Sequence, residues 1–485
     1  MSRLDIEIPG LTQQFIAGSW QTAPNPQLVD VISPSTEEVL TQVAAPTIAD
    51  ADLAVAEARA AFDLGPWSLM SVAERVEVCT RLCDALEARL DDMNRAWAFE
   101  SGATIAHGEM INSGAGVAVW RAALEAAPGL PWEEDRGDAL LFREAIGTAL
   151  GILTFNGPVV LMGMKIIPAL LAGCTVIVKH APESPFTSRL IADAVREAGF
   201  PEGVISVLAA DTAVTQHLVG HDDVDMVALT GGTAIGVDVV KRTADRLART
   251  ALELGGKSPA IIAEDVDVDE VVATLAEGAS GFLGQVCVSL SRILAPASRY
   301  DEIVEALASY YSSLQVGDPF DPTTDRGPLA VERARDRVEH YLAIARDQGA
   351  EVVTGGKRPS GLDRGWYYEP TLLRAVNNQM TVAREEIFGP VTAVIPYNGI
   401  DEAVAIANDS PFGLAASVYT NDQQLAMRVA RQIRAGSVAI NMAGVSLTQP
   451  FGGYKQSGWG RECGPEGILE FTQIKQVLLG GSYLG

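Results

Sequence analysis

Residues 149–185 read ALGILTFNGPVVLMGMKIIPALLAGCTVIVKHAPESP. LGILTF (150–155) is a short β-rich run, the NGP that follows breaks it, a helical stretch carries the chain to Gly173, and TVIVK (175–179) is β-rich again. Strand, helix and strand in close succession are the unit of a parallel sheet. The alternation continues downstream through a helix, VISVLA (204–209), another helix and VDMVALT (224–230), so the span from Ala149 to Ile262 reads as a parallel sheet covered by helices. Nucleotides commonly bind at the carboxyl ends of such strands.

A second series runs from about Ser258 to Asn441, with SPAIIAE, RILAPA, VTAVIPY, AASVYT and GSVAIN separated by amphipathic helices. It predicts a separate α/β domain, as a chain of 485 residues requires. Upstream, Asp50 to Leu90 is alanine-rich and charged with helical spacing, which predicts two helices laid over a domain. DALLFREAI (138–146) and FTQIKQVLLG (471–480) fit neither layer; both are candidate strands, for subunit contact or for a plain edge hairpin.

Apolar residues at 48% and charged residues at 20% allow a sizeable core. Acidic residues outnumber basic ones 62 to 36, a formal charge of −26, so a nucleic-acid surface is not expected. The mostly apolar run Ile166 to Val178 is shorter than the ~20 residues that span a bilayer and is broken by Pro168 and Gly173, so no membrane partner is expected. MSRLDIEIPG lacks the features of a secretory signal, which favours a cytoplasmic location. Five cysteines, Cys79, Cys83, Cys174, Cys287 and Cys463, form no CxxC pair, which argues against a disulfide framework or a metal site.

Four short segments carry the chemistry. In GQVC (284–287), Cys287 lies beside a helix end and a glycine, where an electropositive place would favour thiolate, although free cysteine is more often a small buried hydrophobe. Glu253 in LELGGKSP is a strand-end carboxylate that can act as a general base on water if a thiol is near; alone, such a glutamate is usually solvated. Asn156 projects from the tip of LGILTF, where its amide can donate to an oxyanion or serve ordinary turn chemistry. LTGGTAIG (229–236) puts Gly231, Gly232 and Thr233 between a strand and a helix, a plausible diphosphate turn that is not GxGxxG.

Together, LTFNGP, VIVKHAPESP, LTGGTAIG, LELGGKSP and GQVC, followed by EEIFGP (385–390), SPFGLAAS and PFGGYKQSGWGRE (450–462), resemble the aldehyde dehydrogenase superfamily over almost the whole chain. The resemblance implies that Cys287 attacks an aldehyde to form a thiohemiacetal, its oxyanion held by Asn156 and the Cys287 N–H. It further implies hydride transfer to NAD or NADP, a thioester that Glu253 hydrolyses through water, and a proton relay through Lys165. Lys179 matches the adenine-ribose lysine, Gly231, Gly232 and Thr233 the diphosphate turn, and Glu386 and Phe388 the nicotinamide contacts. The fold implied is α/β, aldehyde dehydrogenase-like, with two Rossmann-like parallel-sheet domains and a small β oligomerisation element. The cofactor domain is expected at 1–126 and 146–255, the catalytic domain at 256–456, and the oligomerisation element at 127–145 and 457–485, in a homodimer or homotetramer.

The chain departs from the family pattern in two places. A glutamate three residues after the ribose lysine favours NAD in many members; here Pro182 stands there, with Glu183 beside it, leaving NAD as the first expectation and NADP as the second. Aromatic walls of acetaldehyde-type tunnels are replaced by Gly157, Met164 and Val445, with only Phe451 kept, which predicts a wider aliphatic pocket. The rival readings are a coenzyme A-acylating dehydrogenase, which generally lacks a glutamate at position 253, and a non-catalytic protein that keeps the fold.

Overall fold

Strands rich in valine, isoleucine and leucine on both faces belong in a sheet covered on both sides. In the computed structural model, which describes residues 5–23 and 25–480, such strands are Thr148–Ile152 and Thr175–His180, buried from end to end. With Ile205–Ala209, Met226–Thr230 and Arg249–Glu253 they form a parallel sheet in the spatial order Ile205–Ala209, Thr175–His180, Thr148–Ile152, Met226–Thr230, Arg249–Glu253. The chain order reverses between Thr148–Ile152 and Met226–Thr230. Connections leaving those two strand ends diverge and open a crevice. Gln14–Ile16 and Ser19–Gln21 extend one edge antiparallel, and Gly458–Trp459 extends the other.

The two alanine-rich helices are Ile48–Leu64 and Val72–Glu87, each opened by a capping box, Thr47 with Asp50 and Ser71 with Glu74. The first buries Ala51, Ala54, Val55, Ala58 and Ala61, small residues at helical spacing that pack against Leu150 and Ile177 of the sheet.

A second sheet runs in the order Glu351–Thr354, Thr371–Arg374, Val391–Tyr397, Arg292–Pro296, Pro259–Ile262, Ala415–Tyr419, Ser437–Ile440. Only its first pair is antiparallel. The five runs expected from the sequence are all strands here, and Glu351–Thr354 with Thr371–Arg374 add an unforeseen edge.

Glu133–Asp135, Ala139–Ala145 and Thr472–Leu478 form a three-stranded antiparallel sheet, with Thr472 opposite Ala145 and Leu478 opposite Ala139. Ile474, Val477 and Leu478 are exposed on it. Residues 1–4 and 481–485 of the expected segments lie outside the described residues. Among the described residues no helix is long and apolar enough to cross a membrane, and no cluster of His, Cys, Asp and Glu could hold a metal ion.

Candidate active site

Beyond Ile152 the chain passes through Thr154 and Phe155 to Asn156, and Pro158 starts the next helix, Pro158–Leu161. The Trp97 indole donates to the Phe155 carbonyl at 2.7 Å and anchors this turn. Thr154 Oγ1 donates to Asn156 Oδ1 at 2.6 Å, which fixes the amide so that Nδ2 donates to the Gln285 carbonyl at 2.9 Å. An amide nitrogen carries two hydrogens, so one remains for another acceptor.

Gln285 belongs to the loop that carries Cys287. After the helix Val268–Ser280, Phe282, Leu283 and Gly284 take φ values of 46°, 52° and 68°. Left-handed backbone at the two non-glycine residues costs about 1–3 kcal/mol each. A Cβ on Gly284 would lie 2.3 Å from the Gly389 carbonyl oxygen, so the loop is pressed against the EEIFGP segment. Gly284→Ala is therefore expected to destabilise the fold by about 1–2 kcal/mol from backbone strain alone and to displace Cys287. A calorimetric melt paired with turnover measurements checks this; an unchanged melting temperature would remove the packing argument.

Cys287 is half-buried and, like Val288, Val445 and Leu447, packs against the large apolar core to which Met164 and Phe451 belong. Burial first, then the charges of Glu253 and Glu386, push its thiol up to about 12, against the pull of the Cys287 and Val288 N–H groups. The charges that act on Cys287 are those of acids, which oppose the thiolate rather than favour it.

Glu253 ends the strand Arg249–Glu253 and is buried. Neither carboxylate oxygen has a hydrogen-bond partner among the described residues, although the Gly453 N–H faces it. Burial and the charge of Glu462 push it well above the carboxylate range, with Lys165 and Arg461 pulling it back. Lys165, in the π-helical turn Met162–Ile166, is fully buried and ion-paired with Glu462. The backbone of Glu462 in turn bridges to Phe451 in both directions, at 2.7 and 2.8 Å. Glu462 was not singled out from sequence; being the one acid in PFGGYKQSGWGRE was the available signal. Gly452 leaves room for the base, since a Cβ there would lie 2.8 Å from Glu253 Oε1.

On the other side of Cys287, the Gly256 N–H donates to Glu386 Oε1 at 3.0 Å. Gly256 is sterically required, since a Cβ there would lie 2.4 Å from the Cys287 carbonyl oxygen, and a Cβ on Gly255 would lie 2.1 Å from Glu386 Oε2 and push that side chain aside. Phe388 takes a left-handed φ of 56° and meets Phe155 edge-on at 6.3 Å. Of the expected pocket residues, Met164 and Phe451 belong to the large apolar core, Val445 packs against it, and Gly157 caps the helix Pro158–Leu161.

Along the crevice, Gly232 opens the helix Thr233–Thr243 with no side-chain cap, and a Cβ on it would meet nothing within 4 Å. The first N–H groups of that helix have no side-chain cap, a fit for a diphosphate. The Thr233 hydroxyl donates to the Gln456 carbonyl. Lys179 is buried near the end of Thr175–His180 and pushed down to about 8 by burial, with Glu183 and Asp211 pulling the other way. Glu183 is ion-paired with Arg333 of the helix Glu332–Asp347. A lone buried ammonium, a bare helix N-terminus and a buried carboxylate in sequence along one crevice suit a dinucleotide.

A thiol flanked by an amide donor and a buried carboxylate, at the end of a dinucleotide crevice, is the arrangement of a dehydrogenase that works through sulfur. The profile of the aldehyde dehydrogenase family matches residues 20–477, and the chain belongs to that family. It is 39% identical over 472 residues to a geranial dehydrogenase of Castellaniella defragrans, covering 96% of this chain and 98% of the relative. Among solved structures it is similar to a Mycobacterium tuberculosis aldehyde dehydrogenase complexed with NAD+, at a TM-score of 0.95 and 42% identity over 97% of this chain and 98% of the other. A mutant aldehyde dehydrogenase C of Pseudomonas syringae, in complex with NAD+ and octanal, gives 0.95 and 36% identity over 98% of both chains.

Proposed function

We propose that this chain oxidises an apolar aldehyde to its carboxylic acid with NAD, through a covalent thioester on Cys287. The observation that carries the reading is Glu253: a buried carboxylate without a hydrogen-bond partner, close enough to raise the Cys287 thiol. Cys287 gives up its proton, to Glu253 in this arrangement, as sulfur bonds to the aldehyde carbon. The resulting oxyanion accepts from the free N–H of the Asn156 amide and from the Cys287 backbone N–H. A bound oxidised nicotinamide would supply the acceptor for the hydride that leaves that carbon. Glu253 passes the thiol's proton onward and, once ionised again, removes a proton from water as its oxygen attacks the thioester carbonyl; the C–S bond breaks, the acid leaves and Glu253 returns that proton to the Cys287 sulfur. Lys165 with Glu462 gives the proton on Glu253 a buried route onward.

Lys179 and Glu386 would hold the two riboses, Gly231, Gly232 and the helix at Thr233 the diphosphate, and Phe388 the nicotinamide ring. Glu183 and Asp211 surround Lys179 with negative charge, which disfavours a 2′-phosphate and supports NAD over NADP. The NAD+ complexes of the two structural relatives point the same way. Gly157, Met164 and Val445, with Phe451, leave an aliphatic wall suited to longer aldehydes, in keeping with a geranial dehydrogenase and an octanal complex among the relatives. The domain reading also stands as ours: 1–126 and 146–255 for the cofactor, 256–456 for catalysis, 127–145 and 457–485 for pairing into a homodimer or homotetramer.

The test is reduced-cofactor formation at 340 nm with acetaldehyde, benzaldehyde and decanal, each with NAD and with NADP, without coenzyme A. Turnover of the larger aldehydes with NAD supports the reading; turnover only after adding coenzyme A would favour the acylating alternative. Asn156→Ala is expected to lower kcat by about 10²–10³, the usual loss for one oxyanion donor. A much smaller loss in steady-state kinetics would leave the backbone N–H as the main donor.

A further inference from the structure

Lys257 follows the two crowded glycines of LELGGKSP and is 2% exposed, yet its ammonium makes no hydrogen bond or ion pair with any described residue. Two small clefts share it as a wall. The second is also lined by Glu386, Phe388, Gly284 and Ser289. An unpaired buried ammonium is costly, so the charges around it decide what it does.

Four charged groups surround it. Arg292 is spent on the carbonyls of Lys257, Ile406 and Ala407 and on Asn378. Arg337, from the helix Glu332–Asp347, donates to the Glu386 main-chain carbonyl. Glu385 accepts from the Tyr341 hydroxyl at 2.6 Å. The Glu386 carboxylate receives only the Gly256 N–H. Lys257 is therefore the one of these charges with no hydrogen bond to a described residue, and it and Glu386, held only by the Gly256 N–H, act on each other.

We propose that Lys257 is a positioning residue whose ammonium keeps the buried Glu386 carboxylate ionised and aimed across Gly255 at the nicotinamide-side ribose. This rests on the reading of Glu386 as a ribose acceptor. An ionised carboxylate accepts hydrogen bonds from both ribose hydroxyls; a protonated one is a poorer acceptor. Burial pushes Glu386 up while Gly256, Lys257 and Arg337 pull it down, so removing the Lys257 charge lets it protonate nearer neutrality. Lys257 is itself pushed down to about 7, first by burial and then by Arg292, with Glu386 opposing, so part of this support is lost in the wild type as pH rises above that value.

The test is a double-mutant cycle read by NADH fluorescence titration, independent of turnover, on Lys257→Met, Glu386→Gln and the double variant, each verified as folded by circular dichroism. Lys257→Met is expected to weaken NADH binding roughly tenfold at neutral pH and to recover as pH rises and Glu386 loses its proton. Glu386→Gln is expected to weaken binding without that pH dependence, the double variant to match Glu386→Gln alone, and Lys257→Arg to bind nearly as the wild type. If Lys257→Met does not fold, Lys257→Gln enters the same cycle. Losses that multiply in the double variant, or wild-type binding by Lys257→Met, would overturn the role of Lys257. Wild-type binding by Glu386→Gln would instead overturn the ribose reading beneath it.

Discussion

Cys287→Ala is expected to cut aldehyde-dependent NADH formation by on the order of a millionfold, the scale of loss when the nucleophile of a covalent enzyme is removed. The substitution keeps the loop's backbone and its contacts: Asn156 still donates to the Gln285 carbonyl, and Gly284 still faces Gly389. NADH binding, followed by fluorescence, should therefore be retained while turnover is lost. The other cysteines cannot substitute, because Cys79, Cys83, Cys174 and Cys463 are buried. Residual turnover within tenfold of the wild type would sink the covalent mechanism.

Glu253→Gln carries the second large effect. An amide of nearly the same shape fits beside Gly452 but cannot take a proton from water, so thioester hydrolysis should stall after one turnover. Rapid mixing should show NADH rising to near one equivalent per active site, more slowly than in the wild type because Glu253 also takes the thiol's proton, followed by a steady rate lower by about 10²–10⁴. Mass spectrometry of the stalled protein should find the acyl group on Cys287. In the wild type, burial and Glu462 hold the Glu253 carboxyl above its usual range. The hydrolytic step should consequently accelerate as pH rises and Glu253 loses its proton, and Glu253→Gln should flatten that slope. No burst, or an unchanged steady rate, would remove Glu253 from the step.

The architecture was largely legible because both large sheets are built from apolar runs separated by helical stretches. Runs such as TVIVK and RILAPA became the strands Thr175–His180 and Arg292–Pro296. Gly458–Trp459 is too short to show a period, and Arg249–Glu253 is half exposed at its start, so their places in the sheet emerge only from pairing. In the site, Cys287, Asn156 and Glu253 stood out by motif. What sequence reading could not supply was each group's electrical surroundings. Lys165 and Glu462 are 297 residues apart and meet in the interior. Cys287 beside a helix end suggested a thiolate, but the acids that oppose one come from Arg249–Glu253 and from the segment around Glu386, far away in the chain.

The bridge between Phe451 and Glu462, and the strand Thr472–Leu478 beside Ala139–Ala145, also bear on how the protein is made. Translation delivers Asn156, Glu253 and Cys287 before Glu462, the partner of Lys165, and before the strand that completes the three-stranded sheet. A nascent chain stopped before Pro450 would hold the reacting thiol with its base unframed and Lys165 uncompensated. The framing of the site and the completion of the three-stranded sheet thus both await residues beyond Pro450, so chains made only to that point have no finished site with which to meet a reactive aldehyde.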